Sequence, residues 1–351
     1  MKLGDVSSTY IDVMLKVMTQ LDCNFDEILD KFSVTQAILC SPDARISIPK
    51  FMRLGHACIK KSADPCLGLR MGKATATTHL GYAGLLALSA KDLYQACHSI
   101  TRYEPLSTYN VRGQSRFYIS DDNTPILAFY SLTPYNEYNF FVVDSVLSSW
   151  YQLLQHLSAR TDVVEKVCFE FAEPSYLESY GEFFDCEVLF NQATNHLVLK
   201  KSALSFPCIN SCAATFELLK RQADNNLEKM QLGLTFQEKV SQVIGPLLTN
   251  KHLDSNSNAN KHDSNTPTLV QVAEQLNMAP WTVRRKLVNE GSSFQQTLND
   301  TRKELSISYI RDTALSLGEV AYLLGFSSSA AFQRAFKRWT GIAPGQFRVQ
   351  S

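Results

Sequence analysis

Absent from this sequence are an apolar run of bilayer-spanning length, a surplus of either charge, and any two cysteines in a C-x-x-C pair. Each absence closes a class. Without a long apolar stretch no helix spans a membrane, and Met1 to Tyr10 is polar where a secretory leader carries an apolar core, so the expected location is cytoplasmic. The nine cysteines and seven histidines show no zinc-type spacing. Neither a metal nor another cofactor is therefore expected, and the thiols read as reduced and structural. Cys208 and Cys212, the closest pair, are the candidates for oxidant sensing, with no flanking base to acidify them. No Ser-His-Asp or Cys-His arrangement has local support. The segment Gly68-Leu-Arg-Met-Gly-Lys-Ala-Thr75 fails as a phosphate loop, because its glycines are too close, Ala74 stands where a hydroxyl is required and no strand precedes it. It reads as a helix start or tight turn, and no enzyme is expected.

The 34 basic and 34 acidic side chains balance, but unevenly along the chain. Residues 266–351 hold 10 Lys and Arg against 6 Asp and Glu, and residues 1–265 hold 24 against 28. A basic surplus confined to one end points to a nucleic-acid partner there.

The length suits two cores. The polar stretch Asn250 to Pro267, rich in Asn, Ser, Asp and His, cannot bury a core and reads as a flexible linker or loop over 250–267. Ahead of it, Phe236, Val240, Val243, Ile244, Leu247 and Leu248 recur at helical spacing, predicting a helix within 231–249 that fits either neighbour. Residues 1–230 mix types. Helical signals lie at Val6 to Leu21, Pro49 to Lys61, Gly84 to Tyr103 and Glu137 to Ala159. Strand signals lie at Ser115 to Ser120, Ile126 to Leu132, Val163 to Phe171, Glu187 to Phe190 and His196 to Lys200, with a turn at Asp121 to Pro125. Strands and helices do not alternate, so the fold class expected is α+β with an antiparallel sheet. His79, His98, Tyr103, Tyr109, Tyr135, Tyr138, Phe140 and Phe141 suit a pocket wall, and suit a plain core better.

Residues 268–351 are all-helical in pattern and contain an internal repeat. Leu269, Val272, Ala273 and Leu276 give one short helix an apolar face, Asn277 stands where it must stop, and Pro280 suits the first turn of the next helix. There Val283 and Leu287 face inward while Trp281, Arg284 and Arg285 point outward. The same grammar returns with Val320-Ala321, Gly325, a capping Ser328, buried Phe332 and Phe336, and Gln333 and Arg334 on other faces. Phe294, Leu298, Leu305, Ile307 and Ile310 mark a longer helix, Ser293 to Asp312, between the two helix-turn-helix motifs. Two residues carry a second reading: Arg334 as an ion-pair brace to Glu319, and Trp281 as a packing anchor between helices.

The second motif, with Val320-Ala321, Gly325-Phe326, Phe332, Arg334, Phe336-Lys337, Gly341, Pro344 and Phe347-Arg348, closely resembles the DNA-binding domain of the AraC/XylS family of bacterial transcription regulators. The first motif resembles it more loosely, with Trp281 where Arg is common. Asp64 to Gly72, Leu80 to Leu86 and Tyr180 to Phe190 are similar to the N-terminal sensor and dimerisation domain of a subgroup that includes ornithine and quorum-sensing regulators. The resemblance implies two recognition helices in successive major grooves of double-stranded DNA. Carried over, Trp281, Arg284, Arg285, Ala330, Gln333 and Arg334 are the base-contact candidates, and Ser328, Lys337 and Arg338 the phosphate candidates. It also implies RNA polymerase as partner, a small-molecule effector bound by residues the sequence does not mark, and a homodimer. The alternative is a front domain that only dimerises or docks a protein. A fused enzyme is disfavoured by the missing nucleophile and metal motifs.

Overall fold

The computed structural model describes residues 4–41, 44–110, 115–130, 140–232, 234–249, 266–312 and 315–350. They divide into two compact units, Gly4–Asn110 with Gln114–Lys229, and Met230–Ser351. No helix among the described residues is long and apolar enough to cross a membrane.

The N-terminal unit opens with β1 (Gly4–Ser7), α1 (Thr9–Gln20), α2 (Asp26–Lys31), α3 (Gln36–Leu39), β2 (Arg45–Ser47), α4 (Ile48–Ser62) and α5 (Leu67–Ala74). It continues through α6 (Gly81–Ser89), α7 (Leu93–Tyr103), β3 (Thr108–Asn110), β4 (Arg116–Ile119), β5 (Pro125–Phe129) and α8 (Phe140–Ser158). β6 (Val164–Cys168), β7 (Glu187–Leu189), β8 (Asn195–Leu199) and α9 (Ala213–Leu232) complete it. The result is α+β. A five-stranded sheet in the order β4-β5-β8-β6-β7 is antiparallel apart from the parallel pair β6 and β7. Across it Phe117, Leu127, Leu197, Val167 and Val188 stand in one row. Period-2 alternation turns such a row to one face, and Leu127, Leu197 and Val167 are fully buried. The Asp121 to Pro125 turn closes the β4–β5 hairpin, with Asn123 in the left-handed region at φ 62°.

Two sequence expectations change. The helix expected from Val6 begins at Thr9, because Gly4–Ser7 is the centre of a second sheet, β2-β1-β3, in which Val6 pairs with Ile46 and Thr108. The single helical signal Gly84 to Tyr103 is two helices, since Ala90 turns extended and the Asp92 carboxylate accepts from the Gln95 amide to start α7. The segment from Gly68 is the start of a helix, one of its two expected readings: Gly68 and Gly72 lie in α5, where a Cβ on Gly68 would run into the Phe141 carbonyl oxygen and one on Gly72 into the Ser148 side chain. Their missing side chains let α5 and α8 cross closely and join the unit's two apolar clusters.

Tyr103, Phe141 and His79 are buried. The side chain of Tyr109, and Tyr135 and Tyr138 altogether, lie outside the described residues, as do residues 137–139 ahead of α8 and 131–132 after β5. Cys208 is buried, which pushes its thiol up to about 11, and Cys212 is exposed; both are free thiols.

The C-terminal unit is all-helical: α10 (Phe236–Thr249), α11 (Leu269–Gln275), α12 (Pro280–Asn289), α13 (Phe294–Asp312), α14 (Leu317–Leu323), α15 (Ser329–Thr340) and α16 (Pro344–Gln350). One core holds it together, with Val272, Val283, Leu287, Ile310, Val320, Phe332 and Phe336 fully buried. Val240, Ile244 and Leu248 of α10 belong to this same core. The helix ahead of the expected linker therefore packs on the C-terminal unit. Of that linker, residues 250–265 lie outside the described residues, Pro267 is buried and Thr266 accepts a hydrogen bond from Arg302.

Candidate nucleic-acid interface

Each motif is made by the same local devices. Thr268 caps α11 and Ser316 caps α14, each in a reciprocal box with the side chain three residues on, Gln271 and Glu319. Each first helix ends in a left-handed residue, Asn277 at φ 49° and Gly325 at φ 67°. The next amide reaches back across the last turn, Met278 N–H to the Ala273 carbonyl and Phe326 N–H to the Ala321 carbonyl, both at 2.9 Å. Val272-Ala273 and Val320-Ala321 lie buried beneath the second helices. The second turn is one residue longer: Met278 and Ala279 separate Asn277 from α12, whereas Phe326, Ser327 and Ser328 separate Gly325 from α15.

On α12 the buried side is Val283 and Leu287, and Trp281, Arg284 and Arg285 are exposed one turn apart on the other. Trp281 is 64% exposed, so it is not a packing anchor; the Arg285 guanidinium lies 5.2 Å from its ring centroid. On α15 Phe332, Ala335 and Phe336 are buried, and Ala330, Gln333, Arg334, Lys337 and Arg338 are exposed. Gln333 Nε2 donates to the Ser329 hydroxyl at 3.2 Å. The exposed Ser328 caps α15, its Oγ accepting from the Ala331 amide at 3.1 Å. Glu319 does not pair with Arg334. Its carboxylate accepts from the Ser316 amide at 2.8 Å, and the Ser316 hydroxyl and amide hold its carboxyl below the usual range.

Four further side chains tie the motifs to the rest of the unit. The Glu290 carboxylate, at the end of α12, accepts from the Phe236 and Gln237 amides at 2.7 and 2.8 Å and so caps the start of α10. The Lys286 ammonium lies 5.1 Å from the Phe236 ring. Arg302 of α13 donates to the Leu324 and Gly325 carbonyls and to the Thr266 hydroxyl. At the C-terminus Arg348 donates to the Ile310 carbonyl at 3.1 Å and to that of Leu315, fixing α16 on α13.

Residues 23–208, more than half of the chain, match the N-terminal arabinose-binding domain of AraC transcription regulators, and residues 272–350 match a helix-turn-helix domain. The chain belongs to the AraC family of transcription regulators. The ornithine utilization regulator of Pseudomonas aeruginosa is 26% identical over 346 residues, 98% of this chain and 96% of that protein. The urease operon transcriptional activator of Escherichia coli is 40% identical over 83 residues, 24% of this chain and 28% of that one. The crystal structure of the transcriptional regulator CdpR from Pseudomonas aeruginosa covers 93% of this chain and 96% of its own at 20% identity and a TM-score of 0.44. This AraC-family chain is thus a DNA-binding transcription regulator, as the repeat of helix-turn-helix residues predicts, and the relatives it matches are named as regulators and not as enzymes.

Its N-terminal domain holds a polar group that sequence reading missed. Asp144 on α8 is fully buried, its Oδ1 accepting from the Tyr180 hydroxyl at 2.8 Å and its Oδ2 from Tyr176 at 3.4 Å. Burial pushes its carboxyl up to about 7 against the pull of both hydroxyls. The only signal available was an acid inside the apolar stripe of α8.

Proposed function

We propose that this regulator reads one duplex site through two successive major grooves, with α12 in one and α15 in the next. Trp281, Arg284, Arg285, Ala330, Gln333 and Arg334 contact base edges, and Ser328, Lys337 and Arg338 hold phosphates. The observation that supports this reading is that all nine side chains are exposed on the second helix of a motif or at its cap, while the side chains behind them form the core. The chemistry suits the roles. Arginine offers a fork to guanine, glutamine pairs with adenine, and the alanine methyl and indole offer apolar contact to a thymine methyl.

Control comes from a small molecule taken by the N-terminal domain. Amino acids are the first class to screen, since the full-length relative is named for ornithine utilization. RNA polymerase and a second copy of the chain are its protein partners, in the cytoplasm. The test is selection of duplexes by the full-length chain from a random library, followed by affinity at rising salt. A defined sequence and a steep salt dependence support the reading. Binding indifferent to sequence and salt overturns it. A screen of amino acids by thermal shift tests effector control: a ligand of the folded state raises the melting temperature, and no shift across the set removes that class.

A further inference from the structure

We infer that Arg302 is the positioning residue that sets the separation of the two reading helices, because one guanidinium holds both the turn of the second motif and the lead-in to the first. The inference rests on the reading of α12 and α15 as paired DNA readers.

Arg302 lies near the middle of α13 and is only 8% exposed. Buried arginines are ordinarily paired with carboxylates. Here the acceptors are uncharged: Nε donates to the Leu324 carbonyl at 2.8 Å, and Nη2 to the Gly325 carbonyl at 3.1 Å and to the Thr266 hydroxyl at 2.9 Å. Leu324 and Gly325 follow the last turn of α14, where carbonyls lack helical partners and the helix dipole is negative. A cation there stands in for the missing amides. Thr266 is two residues ahead of Thr268, the cap of α11.

The guanidinium carbon lies over the Phe326 ring, 5.0 Å from its centroid, and Phe326 packs on Phe332 and Trp339 of α15 at 5.6 and 6.0 Å. A single side chain thus touches the start of one motif and the turn of the other, and reaches the second reading helix through one ring. Lysine cannot replace it, since a point charge on a flexible stem does not hold several acceptors in one plane.

The function served is register. Adjacent base pairs are about 3.4 Å apart along the axis, so two readers must keep their separation to well within one step. If the brace sets that separation, loosening it costs affinity at the right spacing and lowers the penalty at the wrong one.

The experiment uses the full-length chain and a duplex that the wild type selects from a random library, with a second duplex carrying one extra base pair between the two footprinted segments. Arg302→Lys keeps the charge and loses the fork; Thr266→Val cuts the arm to the first motif and, with it, the hydrogen bond that the Thr266 hydroxyl donates to the Gly325 carbonyl at 3.5 Å. Wild type should lose about 10-fold to 100-fold on the lengthened duplex. Both variants should bind the selected duplex about 10-fold more weakly, lose no more than about 3-fold on lengthening, and keep the wild-type salt slope. An unchanged lengthening penalty in both variants, whatever their affinity, overturns the brace and makes Arg302 a merely structural residue. If melting shows Arg302→Lys unfolded, an unchanged lengthening penalty in Thr266→Val still overturns the brace, and a lowered one supports the tie that Thr266 makes between the motifs. A wild type that selects no duplex overturns the reading of α12 and α15, and the brace with it.

Discussion

Set side by side, the pairs α11–α12 and α14–α15 share the residues that fold them and differ in the residues that finish them. Both have a capping box, a buried Val-Ala pair, a left-handed stop and two buried side chains four apart on the second helix. The finishing differs in three places. The second motif stops on glycine and the first on asparagine. The second reading helix has a serine cap whose oxygen accepts from Ala331, whereas Ala279 at the same place offers α12 no side-chain bond. The second turn is held from outside by Arg302, while the first reading helix is tied at its far end through Glu290 to α10. Folding is common to the two motifs, and the means of holding each reading face in place is particular.

The largest expected effect strikes the shared part. Phe336→Ala removes a fully buried ring and should cost about 3–5 kcal/mol, with Leu287→Ala at the corresponding place costing about 2–5 kcal/mol. Urea unfolding of the C-terminal unit measures both, and a loss under about 1 kcal/mol for either would show that the motifs do not share one core.

Next come the reading faces. Arg334→Ala should flatten base preference at one operator position by about 1–3 kcal/mol, whereas Lys337→Ala should weaken every sequence and lower the salt slope by about one. Titration against single-base operator variants separates these outcomes, and uniform weakening by Arg334→Ala would take that residue off the reading face.

A smaller effect is expected at the stops. Gly325→Ala places a Cβ at φ 67° and should cost about 1–2 kcal/mol. Asn277→Gly, which relaxes a left-handed position, should stabilise by up to about 1 kcal/mol. Equal losses from the two substitutions would mean that the stops are not equivalent.

The smallest concerns the caps. Ser328→Ala should lose about 1 kcal/mol, and Ala279→Ser, whose backbone is already extended, should gain about 0.5–1 kcal/mol. A melting-temperature shift of opposite sign for the pair is the expected result.

Much of the C-terminal unit was legible because its information is local: the repeat of Val-Ala, the left-handed stop and the i, i+4 buried pair all lie within one motif. In the N-terminal unit the helical signals of α1, α4, α6 with α7, and α8 were legible for the same reason, whereas α2, α3 and α9 went unread. β1, β2 and β3 were not, since strands of three or four residues carry little periodicity and their partners, such as Val6 with Ile46 and Thr108, lie far along the chain. Arg302 escaped notice too. Its burial follows from the packing of α14 on α13, which nothing near it in the chain announces. Asp144 sat in an apolar stripe where a lone acid reads as an exception, and only Tyr176 and Tyr180, more than thirty residues on, give it a place. The exposed state of Trp281, left between two readings by its type, was settled by the direction of α12.

The membership of α10 in the C-terminal core moves the seam at which this regulator can be cut and rejoined. A graft of its DNA-reading half onto another sensor should begin near Met230, ahead of Phe236. A graft starting at Thr268 would leave an apolar slot where Val240, Ile244 and Leu248 lie, strip Glu290 of the two amides it caps, and remove the Thr266 hydroxyl from Arg302. Such a chimera would keep both reading helices and lose supports at either end of the pair. The portable module in this chain is thus larger than its two motifs, and it includes a helix on the far side of the Asn- and Ser-rich stretch.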